Sequence, residues 1–164
     1  MVETDPSSRA LIDRIAVSGT VAAAFITDVS GQVLLVKPAS RDEWGFVGGW
    51  VDRGESPHQG CAREVEEEIG VALPVGDLLV LDWLTETGYV DEPLTFYLFD
   101  SGVIDEPNLI RLRAGEIEQF GFFPPEQALS RCGEFNRARL GLALEARRMG
   151  RTVYQPLGQP RQEA

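Results

Sequence analysis

An α/β fold, with a mixed sheet covered by helices, follows from three features of the sequence. Short apolar runs with β-branched residues recur between residues 16 and 123, a helix with full start and stop signals lies between Ser56 and Gly70, and a second helical pattern falls within residues 136–149. Residues 16–28 form an apolar stretch suited to a strand, and Asp28-Val29-Ser30-Gly31 supplies the turn after it. Residues 32–37 are short, apolar and partly β-branched, which predicts a hairpin partner for that strand. From 42 to 55 the chain is irregular and rich in glycine (Gly45, Gly48, Gly49, Gly54), which predicts a loop where the backbone turns sharply or is approached closely.

Ser56-Pro57-His58-Gln59 opens a helix: Ser at the N-cap, Pro at the first helical position and Gln three residues after Ser in a capping-box arrangement. It should run to Ile69 and stop at Gly70. Strands are expected at 78–83, 94–99 and 120–123, with a polar segment between the first two. Pro124-Pro125-Glu126 starts a short helix, Leu140, Ala143 and Leu144 give the apolar spacing of a longer one, and 152–154 adds a short strand. One domain over 15–157 is expected, between tails at 1–14 and 158–164.

Composition narrows the function classes. With 43% hydrophobic and 25% charged residues, the chain can bury a core without staples. Its apolar runs fall far short of the roughly 20 residues a membrane span needs, so no membrane partner is expected. No basic segment followed by an apolar run opens the chain, which points to the cytoplasm. A net charge of −11 opposes capture of a nucleic-acid polymer. It would also repel a small polyphosphate, unless some of the acid holds divalent cations that invert the local sign. Cys61 and Cys132 form no CxxC pair and read as buried, reduced thiols.

On the helix ending at Ile69, Glu64, Glu67 and Glu68 fall within an arc of about 100°, because positions three and four apart share a face. Cys61, Ala62, Val65 and Ile69 occupy the adjoining sector, so one flank can dock on a sheet while the acidic face looks into a cleft. Like charges so spaced destabilise a helix by about 0.2–0.5 kcal/mol per pair, and oxygen-only clusters suit the hard cations Mg²⁺ or Mn²⁺.

The spacing is more specific than the cluster. From Gly49 the chain runs five residues to Glu55, seven more to Arg63-Glu64, then on through Glu67, Glu68, Ile69, Gly70 and Val71. These positions match every fixed position of the Nudix box, a pattern expected by chance on the order of once in 10⁸ start points. The chain therefore resembles the Nudix hydrolases over residues 49–71, and more loosely outside them.

The resemblance implies an α/β/α sandwich and Mg²⁺-dependent (or Mn²⁺-dependent) hydrolysis of a nucleoside diphosphate linked to another moiety. A nucleotide-sensing module of the same fold is the alternative. Carried over by position, Glu64, Glu67, Glu68 and the Gly48 carbonyl would hold metal. Glu67, Glu116 or Glu118 would be the general base. Arg63 would hold Glu55, while Gly49 and Gly70 shape the loop and the helix end. Val47-Gly48-Gly49 and Asp52 stand where the family often has Pro-Gly-Gly and Glu, which bears on loop rigidity. Substrate contacts are sought in Tyr89, which could stack on a base, in Phe46 and Trp50 beside the metal loop, and in Asn136, which could read a purine edge or cap a helix. The partner implied is a small nucleotide-type molecule, and the family's habit of dimerising admits a homodimer.

Overall fold

A computed structural model describes residues 9–11, 13–85 and 92–156. β1 (Gly19–Asp28) is the strand around which the sheet is assembled. Its apolar run alternates between two layers. Ala22, Ala24 and Ile26 pack with Val65 and Ile69 on one face, while Ala23 and Phe25 pack with Leu140 and Ala143 on the other. A strand covered on both faces needs no polar row, which is why the stretch reads as continuously apolar.

The remaining strands are β2 (Val33–Pro38), β3 (Val47–Trp50), β4 (Leu78–Leu84), β5 (Leu94–Ile104), β6 (Ile117–Phe123) and β7 (Val153–Tyr154). They form a seven-stranded sheet in the order β6-β2-β1-β5-β4-β7, with β3 paired to β1 off this path. The β1/β5 and β4/β7 pairs are parallel and the others antiparallel, so the sheet is mixed. Helix α1 (Pro57–Ile69) covers one face; α2 (Pro125–Arg131) and α3 (Glu134–Met149) cover the other. This is the mixed α/β sandwich expected from the sequence. Among the described residues no helix is long and apolar enough to cross a membrane.

Several expectations are corrected. The glycine-rich stretch is not all loop: Val21–Ala24 of β1 pair with Val47–Trp50, so β3 lies inside it. Gly48 makes this possible at φ +148°, because a Cβ there would stand 2.4 Å from the Ala22 carbonyl oxygen. β2 meets β1 in the ladder only at Thr27↔Val33 and spends its length on β6, so the hairpin is a brief contact at a turn. β5 runs on past Phe99 to Ile104, through Gly102 at φ +77°. The second long helix starts at Glu134 with Gly133 at the N-cap, which removes the capping role considered for Asn136. Tyr89 and residues 1–8 and 157–164 lie outside the described residues.

Candidate active site

Local signals fix α1 at both ends. Ser56 Oγ accepts from the Gln59 amide at 3.3 Å while Gln59 Oε1 accepts from the Ser56 amide at 2.8 Å, and Gly70 closes the helix at φ +68°. Cys61, Val65 and Ile69 are buried against the sheet, and burial raises the Cys61 thiol to about 12, leaving it inert. The opposite flank carries the glutamates past the glycines of β3.

Glu64 and Glu68 each touch one of those glycines. A Cβ on Gly49 would lie 2.7 Å from Glu64 Oε1, so a side chain there would push this carboxylate from its place. Glu68 Oε2 accepts from the Gly48 amide at 2.9 Å. Burial raises the Glu68 carboxyl to about 7; the Gly48 bond and Arg41 pull it down, while the charges of Glu64 and Glu116 push it up. Glu67, more exposed, accepts from Arg63 Nη1 at 3.4 Å and from Arg113 Nη1 at 3.0 Å.

Arg63 ties the preceding loop to the helix. It grips Glu55 in a fork, Nε to Oε1 at 2.8 Å and Nη2 to Oε2 at 3.0 Å, and also donates to the Trp50 carbonyl and to Glu64 Oε1, each at 2.9 Å. These bonds hold the Glu55 carboxyl below its ordinary value, and Glu55 Oε2 also accepts from the Asp52 amide at 3.0 Å. Of the two downstream acids, Glu116 stands 3.4 Å from Arg113 Nε, whereas Glu118 pairs with Lys37 at 3.2 Å. Glu116 is thus the one whose charge reaches Glu68.

The donor set is all oxygen, and the negative charges of Glu64 and Glu116 crowd Glu68. That chemistry fits a hard divalent cation. Among the described residues, however, no three acidic, His or Cys side chains converge as a ready ligand cluster. Instead, Arg63 and Arg113 engage Glu64 and Glu67.

Beside the glutamates a cleft of about 690 Å³ opens over Gly48 and Gly49 and is lined by Phe46, Trp50 and Asn136. Its size suits a nucleotide-sized ligand. Arg41, Phe96, Phe135 and Arg139 also line it, and Arg139 is paired with buried Asp82. Sequence reading missed all of these, and Arg113 as well. The signal for two of them was present, since Asp82 and Arg139 are the charged residues in rows otherwise apolar.

A mixed sheet whose glycine strand faces an acidic helix defines the class of protein. The chain belongs to the Nudix family: the family's NUDIX domain matches residues 17–143. It is similar to a MutT-like protein of Streptomyces ambofaciens, 28% identical over 123 residues that cover 75% of each chain. It is also similar to an RNA pyrophosphohydrolase of Psychrobacter cryohalolentis, 39% identical over 62 residues covering 37% of this chain and 36% of the relative. The match thus spans about a third of that relative's length. Among solved structures, a MutT protein of Methanosarcina mazei superposes with a TM-score of 0.67 at 22% identity, covering 82% of this chain and 96% of that one, a likeness of fold.

Proposed function

We propose that this protein is a divalent-metal-dependent hydrolase, with Mg²⁺ as the working ion, that cleaves a phosphoanhydride bond in a nucleoside diphosphate linked to another moiety. The observation that carries this reading is the placement of Glu64 and Glu68 against Gly49 and Gly48, the two glycines over which a nucleotide-sized cleft opens, with Glu67 and Glu116 beside them. The pyrophosphohydrolase name of a relative agrees with it.

Glu64, Glu67 and Glu68, with the Gly48 carbonyl, would hold the metal. When bound, it would neutralise phosphate oxygens and lower the pKa of a coordinated water. The remaining work belongs to the chain. Arg63 keeps the Glu55 loop and the helix in fixed relation, so the glutamates are positioned before substrate arrives. Glu67, exposed and one turn from Glu64, is the side chain assigned to accept the proton of the attacking water, with Glu116 as the neighbouring acid that could share it. Besides Arg63, Arg113 pairs with Glu67 and Arg41 lines the cleft and acts on Glu68, and both are suited to phosphate oxygens.

The test is nucleotide or phosphate release from ADP-ribose, a dinucleoside polyphosphate, nucleotide sugars, and ordinary and oxidised deoxynucleoside triphosphates, each with Mg²⁺ and with chelator. Turnover of at least one class that stops in chelator is expected. Turnover indifferent to chelator, or none with any substrate, would overturn the reading.

A further inference from the structure

The segment that leads into β6 is strapped to the C-terminal end of α1. The Arg111 amide donates to the Ile69 carbonyl at 2.8 Å and the Arg113 amide to the Glu68 carbonyl at 3.0 Å, two carbonyls that a helix end leaves without intrahelical partners. The Arg113 carbonyl in turn accepts from the Glu116 amide at 3.3 Å and the Ile117 amide at 3.2 Å. The main chain of Arg113 is therefore fixed, while its side chain is 46% exposed. From this anchor Nη1 donates to Glu67 Oε2 at 3.0 Å, and Nε stands 3.4 Å from Glu116 Oε1. Two arginines thus share Glu67, and they are not equivalent. All five N–H groups of Arg63 are taken, by Glu55, Glu64, Glu67 and the Trp50 carbonyl, and its bond to Glu67 is the longest at 3.4 Å. Arg63 belongs to the frame. Arg113 makes one side-chain hydrogen bond among the described residues, in a pair exposed at both members. Such a pair is weakly held and open to exchange.

We propose that Arg113 is a phosphate-binding residue held on Glu67 and released to the substrate when that carboxylate turns to a divalent cation. One oxygen of Glu67, Oε2, faces both arginines, so any cation that draws on it competes with Arg113. The released guanidinium cannot leave the site, because its main chain is bonded to the carbonyl of Glu68, the residue next to Glu67. It stays within a side chain's reach of the charge centre, where its planar fork matches phosphate oxygens. Arg113 therefore acts in two opposite senses. It opposes the cation when no phosphate is present, and it strengthens the hold on phosphate once the cation is in place.

This inference rests on the metal-dependent reading of the α1 glutamates, and its test separates the two. Mn²⁺ titration of the full chain, read from the resonance of the free ion, should show Arg113→Ala binding the ion alone about 3-fold tighter than wild type, since an exposed competitor is gone. Calorimetric titration in saturating Mg²⁺ with methylene-bridged ADP and GDP, whose bridges resist hydrolysis, should show the same variant binding at least about 10-fold more weakly, since a charge-assisted bond is lost. Arg113→Lys keeps the charge but loses the fork, so it should leave Mn²⁺ affinity near wild type and weaken the analogue. A merely structural residue would not shift the two affinities of Arg113→Ala in opposite directions. Mn²⁺ bound equally or less well by Arg113→Ala, analogue affinity unchanged in it, or no binding of either analogue by wild type would overturn the role of Arg113 and leave the metal centre standing. No Mn²⁺ binding by the wild type would overturn both.

Discussion

The two faces of the sheet handle charge in opposite ways. Under α1, the carboxylates Glu55, Glu64 and Glu67 share Arg63 at a partly exposed rim. Under α3, Asp82 and Arg139 are sealed into a 2.6 Å pair. The most exposed of these carboxylates, Glu67, can trade Arg63 or Arg113 for a cation or solvent at little cost, because an exposed pair is worth about 0–1 kcal/mol. A sealed pair cannot, because freeing either member leaves an uncompensated buried charge. One face leaves a charge free to exchange and the other holds its charges in fixed geometry.

The largest effect should come from breaking the sealed face. Asp82→Ala is expected to destabilise the fold by about 3–5 kcal/mol in urea denaturation, while replacing Asp82 and Arg139 together by Leu and Met should recover most of that loss. A cost below about 1 kcal/mol for the single variant would erase the contrast. Next comes the rim. Glu67→Gln should lower kcat at least about 10²-fold with the melting temperature almost unchanged, because its charge serves chemistry more than folding. Near-normal turnover would pass the base role to Glu116. The smallest effect tests the frame that carries the rim: Ser56→Ala should remove about 1 kcal/mol through the lost cap, read by the shift in denaturation midpoint.

The same division decides what the sequence revealed. The rim is local: Arg63 and Glu55 are eight residues apart and the glutamates lie within two helical turns, so spacing alone places them together. Helix α1 was legible for the same reason, since its caps are set by residues next to its ends. The sealed pair joins residues 57 apart on different elements, and no spacing rule brings them together. Its trace was a broken pattern instead, Asp82 in the row of Val80 and Leu84 and Arg139 in the stripe of Ala143 and Ala146. β3 was misread because glycine is a poor strand former, and only the tertiary demand for close approach to Ala22 and Ala23 explains glycine there. Asn136, singled out as able to read a purine edge, lines the cleft, where it accepts from Arg139, a partner that sequence did not supply.

The most direct test of the central claim, that the α1 rim is a divalent-metal centre, is a Mn²⁺ titration followed by the resonance of the free ion. Wild-type protein should bind Mn²⁺ saturably, and Glu64→Gln and Glu68→Gln should each weaken binding at least about 10-fold, since loss of a mere outer-shell partner already costs that much at metal sites. Absent binding, or affinity unchanged in both variants, would contradict the account.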